Sequence, residues 1–95
     1  MSAYVVVQES VKDQAMFDAY RKEVLGTITA HGGRFIVRGG AFTVLEGEWP
    51  LPRLVILEFP TREAAEAWYR SPAYQKILPL RLKSSTGNFV IVDGV

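Results

Sequence analysis

Residues 31–40 read HGGRFIVRGG, and the role given to its two glycine pairs decides the fold. A phosphate-cradling loop needs its glycines between a strand and the N-terminus of the following helix. Upstream of this stretch, Phe17, Tyr20, Val24, Ile28 and His31 recur at spacings of three and four. That is the period of one helix face over roughly residues 14–31, with Asp13 as its cap. Gly32-Gly33 therefore end a helix, where the left-handed conformation suits glycine. Residues 34–38 (RFIVR) alternate as a strand, Gly39-Gly40 read as a bulge or kink, and residues 42–46 (FTVLE) read as its continuation. Neither pair stands where a phosphate loop requires it, and no GK[ST] follows. The RGG string occurs once inside an apolar run, unlike the repeated, disordered RGG segments that bind RNA.

Working outward, residues 3–9 (AYVVVQE) are β-branched and aromatic enough for a strand, and 53–59 (RLVILEF) for a second one returning antiparallel. GEWPLP between them is a loop. Thr61 caps a second helix in which Glu66 and Arg70 stand in the favourable i,i+4 order. Ser71-Pro72 is a fresh N-cap and first helical position, opening a short helix that Pro79 limits. Residues 88–93 (NFVIVD) form the last strand. The order β-α-β-β-α-β is the ferredoxin-like α+β split motif. We expect a single domain over residues 1–95, with a four-stranded antiparallel sheet and helices on one face. Val5, Val7, Val55, Leu57, Val90 and Val92 are too apolar for both faces to be wet, so a homodimer joined through the sheets is expected.

Composition narrows the function classes. A net charge of +1, from 11 basic and 10 acidic residues, leaves no electrostatic footprint for nucleic acid or an anionic membrane. The absence of cysteine excludes disulfides and thiolate metal sites and fits a reducing cytoplasm. The N-terminal residues lack an export signal, and no apolar run is long enough to span a bilayer.

The strings FIVRGG, VLEGEW, RLVILEFP and AWYRSPAYQ, followed by Arg81, resemble in order and spacing the bacterial domain-of-unknown-function 1330 family. The match covers essentially the whole chain, and the combination is specific although each string alone is weak. The resemblance implies a ferredoxin-like protomer of the dimeric α+β barrel superfamily. Other members of that superfamily include cofactor-independent monooxygenases, haem-degrading enzymes, isomerases and simple ligand binders. The fold alone chooses none of these.

The residues supply candidates, each with a structural alternative. Glu58 follows Leu54 and Ile56 at a period of two and so shares an apolar sheet face with them. With a hairpin centred near Trp49, Arg38 lies about opposite residues 58–60. The pair reads as a register-fixing ion pair, or as an anion-binding arginine with a tuned carboxylate base in the cleft under the helices. His31, at the helix end, is a dipole-stabilised structural histidine or a proton shuttle. Trp68, Tyr69 and Tyr74 are core, or the wall of a ligand pocket in which the hydroxyls orient a carbonyl or carboxylate. Arg81 reaches the same cleft or solvent, and Arg53 reads as a rim charge. One histidine without cysteine makes a poor transition-metal site, and haem handling would rest on His31 alone. Two functions fit. One is a cofactor-independent enzyme acting on a small aromatic or carboxylated metabolite, with Arg38, Glu58 and His31 as its catalytic groups. The other is a non-catalytic dimer that binds a small ligand.

Overall fold

A computed structural model describes residues 1–95. The elements are β1 (Ala3–Val11), α1 (Gln14–Thr29), β2 (Arg34–Arg38), β3 (Arg53–Phe59), α2 (Arg62–Arg70), α3 (Pro72–Ser84) and β4 (Ser85–Asp93). The four strands form one antiparallel sheet in the order β2-β3-β1-β4, the ferredoxin-like arrangement.

Side-chain alternation sorts the sheet into two faces. Val5, Val7, Val55, Leu57 and Phe59 point toward the helices and are buried. They pack against Phe17, Tyr20, Val24 and Ile28 of α1, Ala65 and Trp68 of α2, and Tyr74, Ile77 and Leu78 of α3. Val6, Ile56, Val90 and Val92 alternate with that set and line the other face, where Val90 and Val92 are about half exposed.

The caps act as the sequence requires. Asp13 accepts the Met16 N–H, Thr61 the Ala64 N–H, and Ser71 the Tyr74 N–H. Gly32 has φ +76° and closes α1. Gly33 is required for another reason: a Cβ there would sit 2.5 Å from the Phe59 ring.

Some expectations need correction. The first helix stops at Thr29, leaving Ala30 and His31 in its closing turn. Pro79 does not limit the third helix but lies inside α3. One missing backbone bond is outweighed by the buried side chains Tyr74, Ile77, Leu78 and Arg81 on either side of it. Residues 42–46 are not a strand. β3 already pairs with β1 on one edge and β2 on the other, so no edge is left for them. The strand irregularity lies between Phe35 and Val37, before the glycines rather than at them.

Candidate functional site

That irregularity builds the site. Phe35 pairs with Leu57, Val37 with Ile56 and Arg38 with Val55. The extra residue turns Phe35 and Arg38 to the helix side, where strict alternation would have put them on opposite faces. The Arg38 guanidinium stacks 4.2 Å from the centre of the Phe35 ring. Behind it, between sheet and α1, lies a cavity of about 40 Å³ whose wall is mostly apolar. Phe17, Val24, Trp68 and Phe89 supply part of that wall, and Arg21, Arg38 and Arg53 also line it.

The one carboxylate on the cavity wall is Glu9. Val5, Val7 and Glu9 fall on one strand face, so β1 carries this charge into the core side of the sheet, where Glu9 is only 4% exposed. Arg53 donates its Nε–H to Glu9 Oε1 at 3.2 Å. Burial pushes the Glu9 carboxyl above the usual carboxylate range, against the pull of Arg53, Arg81 and Arg21. Glu9 is thus a buried carboxyl held in an apolar wall beside cations.

A buried polar chain backs the cavity. Arg81, 4% exposed, donates its Nε–H to Tyr74 Oη at 3.2 Å, and the Tyr74 and Tyr20 hydroxyls are 2.9 Å apart. The Arg81 cation lies 3.9 Å from the centre of the Phe89 ring. Burial raises the pKa of both tyrosines, so both hydroxyls keep their protons near neutrality. Trp68 donates its indole N–H to Thr27 Oγ1 at 3.0 Å, and Thr27 donates in turn to the Val24 carbonyl.

The structure separates the residues proposed from sequence. Arg38, Arg53 and Trp68 line the cavity. Tyr74 and Arg81 stand behind its wall, reaching it through Tyr20. Tyr69 is half-buried against Phe89, over a separate shallow hollow outside the cavity. His31 joins neither: its Nδ1 lies 3.1 Å from the Thr27 carbonyl oxygen, beyond the last turn of α1.

Glu58 lies on the sheet face opposite the helices, away from the cleft assigned to it. It pairs with Arg34 rather than Arg38, with Arg34 Nη2 2.6 Å from Oε1, and also accepts from the Tyr4 hydroxyl at 3.4 Å. The Arg34 hydrogen bond holds the Glu58 carboxyl below the usual carboxylate range. The mispairing follows from the hairpin: residues 39–52 loop out, so Arg34 stands opposite Glu58 and Arg38 opposite Val55.

Sequence reasoning missed Glu9, Tyr20 and Arg21 as site residues. Glu9 did carry a signal, a charge continuing the period-two series of core valines. Tyr20 lay on the apolar stripe of α1, which gave no reason to prefer it to its neighbours. No group of three or more His, Cys, Asp or Glu side chains is arranged to hold a metal ion. No helix is long and apolar enough to cross a membrane.

The chain belongs to the family described as domain of unknown function (DUF1330), whose model matches residues 2–95. No curated protein matches it. A protein of unknown function from Rhodopseudomonas palustris has a similar structure, with a TM-score of 0.79 and 14% identity over 99% of this chain and 82% of that one. SnoaB from Streptomyces nogalater, described as a cofactor-independent oxygenase, is similar with a TM-score of 0.66 and 12% identity over 99% and 93% of the two chains. A dimeric ferredoxin-like protein of unknown function from Jannaschia sp. CCS1 matches with a TM-score of 0.65 and 13% identity, over 99% of this chain and 100% of that one. At such identities the likeness is one of fold.

Proposed function

We propose that this member of the DUF1330 family binds a small, largely apolar and often aromatic anion between sheet and α1, and removes a proton from it with Glu9. The observation that carries the reading is Glu9 itself. A carboxylate buried in an apolar cavity wall is costly to keep and well suited to accepting a proton. Arg38 lies at the cavity without a carboxylate partner of its own, so its guanidinium is free for a ligand's anionic group. Arg21 adds to the same field. Tyr20 and Trp68 shape the wall, and Tyr74 and Arg81 hold Tyr20 in place. Proton removal needs no bound cofactor, and the cofactor-independent oxygenase among the structural neighbours lends support to chemistry done by side chains on this fold. His31 and Glu58 have no part in it.

The molecule measures 35 × 33 × 16 Å, a slab one helix layer and one sheet thick. Its uncovered sheet face carries Val6, Ile56, Val90 and Val92. A second copy covers that face in our reading, and the dimeric neighbour supports it. A monomer mass by light scattering at micromolar concentration would remove the dimer from the proposal.

Benzoate is larger than the closed cavity of about 40 Å³, so as a probe it reports a cleft that opens to admit it. It is expected to shift the amide resonances of Val7, Val24 and Phe89. Arg38→Met should weaken it about tenfold or more, the worth of one charge-assisted hydrogen bond. Glu9→Gln should tighten it by removing a like charge. If millimolar benzoate shifts none of these amides, the cleft is not the site. Wild type and Glu9→Gln incubated with a cell metabolite extract separate catalysis from binding. In deuterium oxide an enzyme exchanges a carbon-bound proton of a small anion for deuterium only when Glu9 is present, whereas a simple binder exchanges it in neither case.

A further inference from the structure

Residues 40–52 connect β2 to β3 without a hydrogen bond or ion pair to any other part of the chain. Ordering backbone costs about 1–2 kcal/mol per residue, so such a segment must be held by side-chain packing. Within the protomer that packing is thin. Phe42 and Trp49 meet edge to face with ring centroids 6.0 Å apart, yet Phe42, Val44 and Trp49 stay 40–47% exposed and Leu45 is 89% exposed. The segment Phe42–Glu46 also has the composition of a strand with no strand to pair with.

The location of this arm says what it meets. Its residues enclose a hollow of about 320 Å³ together with Leu54. Leu54 pairs with Gln8 on β1 and alternates with the helix-facing Val55, so its side chain is on the uncovered sheet face. The apolar side of the arm is therefore continuous with the face already assigned to a second copy. The total accessible surface points the same way. It is 5944 Å², whereas a monomer of this mass is expected to expose about 5,500 Å².

We infer that residues 42–49 form an exchanged arm that packs on the uncovered sheet face of a second copy of this chain. The inference rests on the sheet-face dimer proposed above and adds the element that clasps it. A two-fold axis lets each protomer's arm cover the partner's sheet, so one self-complementary contact removes both exposed apolar surfaces from water. An unrelated partner would cover one arm and leave the stoichiometry open.

The chain contains no cysteine, so Glu46→Cys offers a single attachment point for a nitroxide. Spin-labelled protein is mixed with unlabelled, nitrogen-15-enriched wild type, and any line broadening is then intermolecular. The expected result is broadening of the amides of Val6, Ile56, Val90 and Val92 in the enriched copy. Leu45→Asp, at a side chain with few contacts in its own protomer, should raise the dimer dissociation constant at least tenfold with an unchanged circular dichroism spectrum. A dimer that shows no such broadening, or whose dissociation constant Leu45→Asp leaves within twofold, overturns the arm while the sheet dimer stands. A monomeric wild type overturns both.

Discussion

Replacing Arg53 by methionine should make the protein's stability depend steeply on pH, because it leaves Glu9 buried without its direct partner. Methionine keeps the length of the arginine stem and removes the Nε–H that Glu9 accepts at 3.2 Å. The bare carboxylate then has two options at pH 7: remain charged in an apolar wall, or take up a proton. The second option sets a ceiling on the cost. Protonating a carboxylate of ordinary pKa 4.5 at pH 7 takes about 3.4 kcal/mol, at 1.36 kcal/mol per pH unit. At pH 4.5 the same ceiling is about 0.4 kcal/mol, because half of the unfolded chains already carry the proton. Arg53→Met should therefore lose up to about 3 kcal/mol at pH 7, a fall in Tm of roughly 15 °C for a domain of this size. Most of that loss should vanish at pH 4.5.

The sign follows from linkage. A carboxyl raised in the folded state binds more protons there than in the unfolded chain, so stability falls as pH climbs from 4.5 through the folded-state value and then levels. Glu9→Gln supplies the control, since it removes the titrating group. It should cost little at pH 7 and flatten the dependence, both alone and combined with Arg53→Met. Thermal unfolding followed by circular dichroism at the two pH values measures all three variants. An Arg53→Met loss of the same size at pH 7 and pH 4.5 would refute the argument, because the cost would then come from packing of the arginine stem rather than from the carboxylate.

Two further outcomes are expected. Thr27→Val keeps the side-chain shape but leaves the buried Trp68 indole N–H without an acceptor, costing about 1–3 kcal/mol in chemical denaturation, whereas Thr27→Ser should cost clearly less. Glu58→Gln should act in the opposite pH sense to Glu9: the Glu58 carboxyl is lowered by Arg34, so its contribution is present above pH 4.5 and lost as pH falls through its folded value. The variant's stability deficit should thus shrink on acidification, and a deficit that grows would contradict the pairing.

Much of the architecture was legible because it depends on local signals. Asp13, Thr61 and Ser71 are caps by side-chain chemistry alone, and the stripe Phe17, Tyr20, Val24, Ile28 is a helix period. The family strings reinforced the same order of elements. Alternation separates the two faces of β1 and β3, but both faces of β3 are apolar, so it did not say that Val55, Leu57 and Phe59 rather than Leu54, Ile56 and Glu58 meet the helices.

Register was not readable, because it depends on how the chain between two strands is disposed. Residues 42–46 have strand composition, yet both edges of β3 are taken, so the hairpin opens. That single fact moved Glu58 from Arg38 to Arg34. Its place on the opposite face follows instead from Val55, Leu57 and Phe59 being the residues of β3 that pack on the helices. The residue inserted between Phe35 and Val37 then put Arg38 on the helix side of the sheet, exposed at the edge of the cavity, which no composition or spacing announces. Tyr74 and Arg81 likewise became a buried pair behind Tyr20 only once α3 had packed against α1. Sequence alone determined the order of the main helices and strands and that one sheet face is buried, since these follow from periods of two and 3.6 and from caps within a few residues. Tertiary structure decided which charges meet, because ion pairs and cavities depend on strand register and on helix packing between residues far apart in the chain.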